Sequence, residues 1–303
     1  RWPRRVGTDA YRLYDREVTT VPWAIDRYGP ALHITIYPPG RDAPAPGETG
    51  DVETEDGEAR EARLLRAIGT LLGVDPTRVF VKRKQKRTGG AQHEVQARAG
   101  CTFVVREHGM RFLVNLSDYV DTGLFLDHRD TRARVRECSA EKRVLNLFGY
   151  TGAFTVAAAV GGARATVTVD TSQTYLDWAA RNLELNELDP ASHALVREDA
   201  LTFLRSHAGP ERYDVVIVDP PTRSNIHGGQ HVWDVQRDHV ALLETLRPLL
   251  APQAQVMFST NFRRFRLDGA GLVAWEIEET TPASIPPDIG DRRIHRAWWM
   301  RLR

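Results

Sequence analysis

Cysteine is scarce in this chain of 303 residues. Cys101 and Cys138 are the only two, they lie far apart, and neither belongs to a C-x-x-C pair, so neither a disulfide framework nor a zinc site is indicated. No apolar run approaches the roughly 20 residues of a membrane-spanning helix, and no signal peptide is visible. These absences predict a cytoplasmic protein that holds no metal and does not enter a membrane.

An excess of charge is also lacking, because 41 Lys and Arg residues are balanced by 40 Asp and Glu residues. Affinity for nucleic acid would therefore have to come from a local patch rather than from the field of the whole protein. The candidate patch is a basic run that precedes Gly89-Gly90, and a run of this kind is either a solvated surface or a contact to RNA phosphates. Its members are Lys82, Arg83, Lys84, Lys86 and Arg87.

The first third of the chain reads as a small α+β module. Alternating aromatic and polar residues predict antiparallel strands with one buried face, and Asp15 and Asp26 are expected at the surface or in turns. Residues 38–57 lack periodicity and predict a loop, and a helix is expected over 58–72. Further strands are predicted at 79–81, 102–107 and 110–115, the last two joined by a His108-Gly109 turn. The module is assigned to residues 1–115.

Residues 143–170 predict one βαβ unit. An apolar strand, Val144 to Phe148, leads into the turn Gly149-Tyr150-Thr151-Gly152, and a helix of small residues follows over 153–160. A second β-branched strand, 165–169, stops at Asp170. The same alternation continues with helices at 174–186, 200–206 and 235–250 and strands at 194–196, 213–218 and 255–259.

This alternation predicts that residues 116–303 form a Rossmann-like α/β domain with a mostly parallel sheet covered on both faces. A final strand over 294–302 returns as its antiparallel edge. In such a sheet the ligand crevice lies at the carboxyl ends of the strands.

The glycine turn lacks a feature that would identify its ligand as a dinucleotide. A dinucleotide site wants G-x-G-x-x-G, whereas here Gly149 and Gly152 are flanked by Asn146 and Phe148 with no third glycine in register. S-adenosylmethionine has no phosphate and needs only a glycine turn beside its amino acid and ribose. The loop fits this cofactor better than NAD, although such turns also occur without a ligand.

Three acids follow three successive predicted strands: Asp170, Asp199 and Asp219. Their register suggests ribose hydroxyls at Asp170, an adenine amine near Asp199 and the reacting centre near Asp219. Asp199 has the alternative role of capping the next helix. Asp219-Pro220-Pro221-Thr222 is the sharpest signal, because two prolines after a buried strand impose a rigid, extended backbone whose carbonyls can grip a planar base.

In this order, the glycine turn, the ribose acid and the Asp-Pro-Pro segment resemble class I S-adenosylmethionine-dependent methyltransferases that act on nucleic acid. Through residues 115–129, 145–152, 168–172, 219–222 and 234–239 the chain resembles the K domain of the bacterial bifunctional 23S rRNA methyltransferases, which makes 7-methylguanosine. It is more distantly similar to the RNA 5-methylcytosine enzymes. The resemblance implies 23S rRNA or a ribosomal assembly intermediate as partner. It is compatible with a second methyltransferase half upstream of Arg1 in the full-length protein and also with a free-standing K-like enzyme.

The resemblance also implies that the segment Phe125 to Arg129 lies over the cofactor, with Asp127 and Arg129 near its methionine end. Asp127 has an alternative interpretation as a helix cap. Together with neighbours in the same motifs, the predicted cofactor site comprises Phe125, Asp127, Arg129, Asn146, Phe148, Gly149, Thr151, Gly152, Asp170, Thr171, Ser172, Asp199 and Ala200. The predicted catalytic residues are Asp219, Pro220, Pro221, Thr222 and Asn225.

The chain departs from the family pattern at Arg223, where an aromatic residue is expected to stack on the flipped base. Arg223 would have to stack through its guanidinium plane, and it is counted among the predicted RNA contacts. Cytosine C5 methylation needs a cysteine nucleophile, and the expected places hold Thr222 and Ser259-Thr260-Asn261 instead. Guanine N7 is therefore the favoured acceptor. The alternatives are methylation at guanine N2 or at cytosine C5, or a ribosome-assembly factor in which catalysis is secondary.

Overall fold

The computed structural model describes residues 2–18, 20–38, 57–84, 100–207, 212–225 and 232–303. The chain divides into two compact units, Arg1–Val105 with Val114–Thr122, and Arg106–Leu113 with Gly123–Arg303. The boundary after residue 115 remains a prediction. Within the described ranges, no helix has both the length and the apolar character needed to cross a membrane.

The first unit is built on a four-stranded sheet covered by a helix. Strands β1 to β4 are adjacent in chain order, the first two pairings are antiparallel, and β3 pairs with β4 in parallel. The antiparallel strands predicted before residue 38 are confirmed. Helix α2 lies between β3 and β4 in the chain, and such a crossover lets β4 run parallel to β3. The elements are α1 (Trp2–Arg5), β1 (Ala10–Asp15), β2 (Trp23–Tyr28), β3 (Ala31–Ile36), α2 (Gly57–Leu72) and β4 (Val79–Arg83).

The core of this unit joins one face of the sheet to α2. Its buried members are Trp23, Ile25, Leu32, Ile34 and Val74. The helix contributes a stripe at helical spacing, and this stripe confirms the amphipathic pattern in the sequence. Its residues are Leu64, Leu65, Ile68 and Leu72.

Asp15 and Asp26 are buried, so the expectation that they lie at the surface is wrong. Arg12 Nε donates to Asp26 Oδ1 at 2.7 Å, and Arg12 Nη1 lies 3.2 Å from Asp15 Oδ2. Single-sequence patterning missed this because Arg12 and Asp26 come together only through the β1–β2 register.

His33 on β3 makes the stability of the first unit sensitive to acid. The ring is buried, its Nε2 has no hydrogen-bond partner among the described residues, and burial, followed by the charges of Lys82 and Arg12, lowers its pKa to about 3. Since the unfolded pKa is about 6.5, the unfolded chain binds the extra proton between these values. The contribution to stability is complete above about pH 6.5 and is lost as the pH falls toward about 3.

We expect acidification from pH 7 to pH 5 to cost the wild type about 2 kcal/mol more than His33→Leu, which cannot titrate. Urea unfolding at both pH values measures the difference, and the other titrating groups cancel because both proteins contain them. Equal losses of stability in the two proteins would contradict the prediction.

A β-hairpin follows, formed by β5 (Thr102–Glu107) and β6 (Met110–Asn115), with the bounds that the sequence predicts. His108 and Gly109 both have positive φ, 50° and 82°, as a tight hairpin turn requires. The ends of the hairpin belong to the first unit and its tip to the second.

The second unit contains a seven-stranded sheet of order β14-β15-β13-β10-β7-β8-β9. Strands β13, β10, β7, β8 and β9 are parallel, whereas β15 is antiparallel to both β13 and β14, so the predicted mixed sheet is confirmed. Its elements are α3 (Arg129–Cys138), β7 (Arg143–Leu147), α4 (Ala153–Val160), β8 (Ala165–Asp170), α5 (Gln173–Leu185), β9 (His193–Arg197), α6 (Ala200–Ser206), β10 (Tyr213–Val218), β11 (Arg223–Asn225), β12 (Val232–Asp234), α7 (Val235–Leu246), β13 (Leu250–Thr260), β14 (Trp275–Glu279), α8 (Thr281–Ser284) and β15 (Arg296–Leu302).

Strand β10 shows how both faces of the sheet are buried. Val215 and Ile217 pack into one cluster with residues of α3 and α4, while Val216 and Val218 pack into a second cluster with residues of α6 and α7. Neighbouring residues of a strand point to opposite faces, so a continuous apolar run is what a doubly covered strand needs.

Three local expectations in this unit are corrected. Helix α7 ends at Leu246 rather than 250, because Pro248 lies in the 3-10 turn that follows and lacks the N–H that would continue the helix. Strand β13 accordingly begins at Leu250. The sequence patterns missed β14 and the β11–β12 pair, which are only five and three residues long.

Candidate active site

The predicted site motifs meet at one edge of the second unit's sheet. Because β7, β8, β9 and β10 are parallel, their carboxyl ends lie at the same edge. The glycine turn follows β7, Asp170 ends β8, Asp199 follows β9 and Asp219 follows β10.

The turn after β7 has a tightly constrained backbone. Phe148, Tyr150 and Gly152 have positive φ values of 56°, 49° and 73°, and a Cβ on Gly149 would lie 2.3 Å from Thr168 Cγ2. Thr151 Oγ1 donates to Gly123 O at 2.6 Å and fixes the turn from behind. The turn therefore packs tightly against β8, and a side chain at Gly149 would displace it.

Asn146 lies beneath this turn rather than at the open edge. It is 2% exposed, and its Nδ2 donates to Thr155 Oγ1 at 2.9 Å. Thr155 Oγ1 is in turn 2.6 Å from Thr168 Oγ1. This buried polar chain connects β7, α4 and β8 and supports the turn; a direct contact of Asn146 to the cofactor remains a prediction.

Asp170 organises the backbone around it. Its Oδ2 accepts the Tyr150 N–H at 2.9 Å and its Oδ1 accepts the Ser172 N–H at 2.9 Å. The carboxylate thus ties the glycine turn to the segment after β8, in which Thr171 is exposed and Ser172 caps α5. Carboxylate oxygens accept hydrogen bonds from hydroxyl groups, so Asp170 is chemically suited to ribose hydroxyls.

Asp199 does cap the following helix, as the alternative interpretation predicts. Its Oδ1 accepts the Thr202 N–H at 3.0 Å, at the start of α6, and Ala200 beside it is buried. The two interpretations are compatible, since capping uses one carboxylate oxygen; the adenine contact remains a prediction.

The segment from Phe125 to Arg129 is held in place by buried ion pairs. Arg132 forms a bidentate pair with Glu107 at 2.7 Å for both bonds and donates to Phe125 O at 2.8 Å. Both partners are almost fully buried, and removing one partner of such a pair typically costs about 3–5 kcal/mol. Phe125 itself is 42% exposed, with its ring centroid 5.3 Å from that of Tyr150.

Arg129 is fully buried and has a structural partner. Its Nη1 and Nη2 donate to Asp288 at 2.7 and 3.1 Å. This pairing ties the start of α3 to the loop after α8. The predicted contact of Arg129 to the methionine end of the cofactor remains a prediction, and it would have to coexist with this ion pair.

Asp127 belongs to a buried histidine cluster. His295 Nδ1 is 2.8 Å from Asp127 Oδ2, His295 Nε2 is 2.8 Å from Ser284 Oγ, and the ring of His295 stacks on that of His128 at 4.3 Å. Burial would raise the pKa of Asp127, but the facing His128 and the hydrogen bond from His295 hold it well below its usual range.

His128 links this cluster to Asp219. Its Nε2 lies 3.6 Å from Asp219 Oδ2, slightly longer than a hydrogen bond, and its Nδ1 has no partner among the described residues. Burial, followed by the charge of His295, lowers the pKa of His128, so the ring is neutral at neutral pH.

Asp127, His128 and His295 also have the donor types of a metal site, with ligand atoms within 4.8 Å of one another. Both ring nitrogens of His295 already have hydrogen-bond partners, however, so metal binding would require these bonds to break. The absence of a metal remains a prediction.

The Asp219–Thr222 loop is fastened at several points. Ser259 Oγ donates to Asp219 Oδ1 at 2.6 Å, and Thr222 Oγ1 donates to Asn261 Oδ1 at 2.6 Å. Trp233 Nε1 donates to Pro221 O at 2.8 Å, so this carbonyl is used internally. These contacts agree with the expectation of a rigid loop. They leave the Asp219 carboxylate at the carboxyl edge of the sheet, bound by Ser259 and facing His128.

Arg223 and Asn225 lie on β11, next to this loop. Arg223 is largely exposed and its Nε donates to Asp234 Oδ2 at 2.9 Å, so its guanidinium is held by an acid. Asn225 pairs through its backbone register with Val232. Stacking by Arg223 and catalysis by Asn225 remain predictions.

The basic run begins in the first unit and is partly engaged there. Lys82 Nζ donates to Tyr119 O and its pKa is lowered by burial, and Arg83 Nη1 donates to Glu61 Oε2 at 2.9 Å. Lys84 Nζ lies 5.1 Å from the centroid of the Tyr37 ring. Lys86 and Arg87 lie outside the described residues, and RNA contact by the run remains a prediction.

The sequence reasoning missed four residues that shape the site: His128, Ser259, Asn261 and His295. The only sequence signal for His128 was its position between the predicted site residues Asp127 and Arg129. Ser259 lies at the end of β13 and Asn261 directly follows it, and the sequence had marked these positions only as ones that lack a cysteine. His295 had no local signal, because 168 positions separate it from Asp127.

The ligand implied by the sequence fits these residues. S-adenosylmethionine presents ribose hydroxyls, an adenine amine and an ammonium group, all of them donors. The carboxylates of Asp170, Asp199 and Asp127, which can accept from such donors, lie near the glycine turn. The fold and this edge together define a class I methyltransferase.

Comparison with known proteins gives the family. A family model described as S-adenosylmethionine-dependent methyltransferase matches residues 65–269. Ribosomal RNA large subunit methyltransferase K of Neisseria meningitidis serogroup B is 41% identical, over 99% of this chain and 83% of that protein. Ribosomal RNA large subunit methyltransferase K/L of Pseudomonas putida is 43% identical over 100% of this chain, which spans 40% of that relative. The chain belongs to the S-adenosylmethionine-dependent methyltransferase family.

Solved structures agree on the fold. SMU.776, described as a methyltransferase and crystallised with SAH, superposes with a TM-score of 0.73 at 23% identity, covering 99% of this chain and 77% of that one. An S-adenosylmethionine-dependent methyltransferase from Agrobacterium tumefaciens gives 0.59 at 19% identity, with 92% and 87% covered. The predicted enzyme class, fold and cofactor are thus confirmed.

Proposed function

We propose that this protein methylates a guanine of 23S rRNA at N7, on free RNA or on a ribosomal assembly intermediate in the cytoplasm. The observation that carries the proposal is the fastened loop of Asp219, Pro220, Pro221 and Thr222 at the carboxyl end of β10, directly beside the glycine turn after β7. The two relatives are named for methylation of large-subunit ribosomal RNA, which supports rRNA as the substrate.

When bound, S-adenosylmethionine supplies an electrophilic methyl group on a sulfonium. The chain's own contribution is binding and alignment. Asp170 would hold the ribose, Asp199 the adenine amine and Asp127 the methionine end. Asp219, oriented by Ser259, would accept hydrogen bonds from the N1–H and the N2 amine of guanine and would favour the cationic product.

Guanine N7 suits this site because its lone pair is exposed and no proton has to leave before methylation. Catalysis then depends on in-line positioning, which a loop fastened to Ser259, Asn261 and Trp233 can provide. The target base must be unpaired or flipped out of its helix to reach the edge.

Cytosine C5 methylation is disfavoured by the cysteines. Cys138 lies at the end of α3, its Sγ donates to Val135 O at 3.4 Å, and burial raises its pKa, so it is a poor nucleophile. Cys101 belongs to the other unit. Methylation at guanine N2 would use the same Asp219 contacts. The two reactions are therefore distinguished by their product, N2-methylguanosine or 7-methylguanosine.

The test is to incubate the protein with unmodified 23S rRNA and methyl-labelled S-adenosylmethionine, digest the RNA and identify the labelled nucleoside by mass spectrometry. We expect 7-methylguanosine, and no label with rRNA that already carries the modification. N2-methylguanosine or 5-methylcytidine would contradict the acceptor. RNA binding without any labelled nucleoside would favour an assembly factor.

A further inference from the structure

A cavity of about 220 Å³ opens at the carboxyl edge of the sheet beyond β13. It forms where β13 ends beside the start of β15, at the pair Thr260 and Arg296. None of its nine lining residues is acidic. Four of them are arginines: Arg263, Arg292, Arg293 and Arg296. Because a water molecule occupies about 30 Å³, the cavity has room for a phosphate-sized group with several waters.

The charges of these arginines are only half neutralised. Arg263 pairs with Asp291, and Arg296 pairs with Glu279 at 2.8 Å. Arg292 instead donates to three main-chain carbonyls, those of Pro282, Ile285 and Pro286, at 2.8 to 3.2 Å.

Carbonyl partners hold the Arg292 guanidinium in place without cancelling its charge. Arg293 is exposed, and within the described ranges no carboxylate pairs with Arg292 or Arg293. Two positive charges therefore face a cavity that already has a fixed shape, which is the arrangement expected of an anion site.

The cavity lies beyond the cofactor motifs in the order of the strands. Across the sheet, the cofactor motifs follow β9, β8 and β7, Asp219 follows β10, and the cavity lies further out, past β13. Two lining residues connect it to the reacting edge: Asn261 accepts from Thr222 Oγ1, and His295 bonds Asp127. Through Asn261 the cavity borders the loop that carries Asp219.

We infer that this cavity binds a phosphate group of the RNA strand, next to the nucleotide that is methylated. The inference rests on the proposed function, because it takes RNA as the substrate. The planar donor fork of Arg293 can match phosphate oxygens in a bidentate manner, while Arg292, whose Nη1 and Nη2 already donate to carbonyls, contributes its charge. A base bound at Asp219 brings its own backbone to this edge.

The test compares two double variants with the same change in net charge. The double variant Arg292→Ala with Arg293→Ala removes the two unneutralised charges from the lining of the cavity. Arg247→Ala with Arg301→Ala is the matched control: these side chains are 45% and 55% exposed, pair with Glu244 and Glu276, and lie near the opposite edge of the sheet. RNA binding to a 23S rRNA transcript is measured by filter retention between 50 and 200 mM KCl, which spans roughly the range in which phosphate contacts show their salt dependence.

We expect the cavity variant to bind RNA about tenfold more weakly at 100 mM KCl, with the slope of log affinity against log salt reduced by about 0.7 for each phosphate that the protein no longer neutralises. The KM for RNA should rise by a similar factor, while kcat and the SAH affinity stay near the wild-type values, because the phosphate is bound equally well in the ground and transition states. The control should follow the wild type.

Since Arg292 also binds three carbonyls, Arg293→Ala alone, together with thermal melting, separates weaker phosphate binding from a folding defect. Equal salt slopes in the cavity variants and the control would overturn the inference. So would binding of millimolar inorganic phosphate at the cavity that leaves RNA binding unchanged, because this result would indicate a free anion as the ligand. A wild type that binds RNA with the expected slopes yet methylates none overturns the proposed function alone.

Discussion

Replacing Asp219 by asparagine is expected to lower kcat by a factor of about 10² to 10⁴, with the affinity for S-adenosylmethionine almost unchanged. Asp219 stands at the end of β10, with Oδ1 accepting from Ser259 at 2.6 Å and Oδ2 3.6 Å from His128 Nε2. Two charge-assisted hydrogen bonds to the acceptor base are worth about 3–6 kcal/mol together, and each 1.4 kcal/mol is about tenfold in rate. Asparagine would also turn an NH₂ group toward a guanine donor.

The measurement is single-turnover methyl transfer at saturating RNA, with SAH binding by calorimetry alongside it. Asp214→Asn is the control, because Asp214 lies at the other end of the same strand, where its Oδ2 accepts the Arg143 N–H at 2.8 Å. The control should keep its kcat even where its stability drops. An Asp219→Asn enzyme with wild-type kcat would remove Asp219 from the mechanism.

Replacing Asp170 by asparagine should weaken SAH binding by about 100-fold or more, since charge-assisted hydrogen bonds contribute about 1.5–3 kcal/mol each. The weakening has two sources. The ribose loses an anionic acceptor, and the glycine turn loses its anchor, because both oxygens of Asp170 accept main-chain N–H groups, from Tyr150 and Ser172. The NH₂ of asparagine would face one of these donors.

Calorimetry of SAH binding measures this effect, and Asp177→Asn is the matched control on the exposed face of α5, where Asp177 only accepts from Gln173. We expect the control to bind SAH as the wild type does. Unchanged affinity in Asp170→Asn would show that neither the ribose nor the turn depends on the carboxylate.

These two residues were predictable because their signals are local. A β-branched run that stops at Asp170, and a buried run that leads into Asp219-Pro220-Pro221, place both acids at strand ends before any tertiary contact is known. The helix between the first two core strands likewise spans residues 153–160 as expected, because Gly152 and Gly161 bound it. The doubly buried parallel sheet follows from the same alternation.

The sequence-based predictions were wrong or incomplete where segments distant in the chain meet. Asp26 was expected at the surface, yet the β1–β2 register pairs it with Arg12. Strand β14 is only five residues long and has three glutamates, and it is held by its pairing with β15 at the edge of the sheet.

The sequence by itself determined the alternation of strands and helices, the glycine turn and the acids at the active edge, because each depends on neighbours within a few residues. Only the tertiary structure decided what surrounds them. Asp127 meets His295 across 168 positions, Asp219 meets Ser259 across 40, and the arginine-lined cavity exists because β15 runs antiparallel to β13 and begins where β13 ends. Contacts of that separation are set by strand pairing, and a single sequence carries no local signal of which strands will pair.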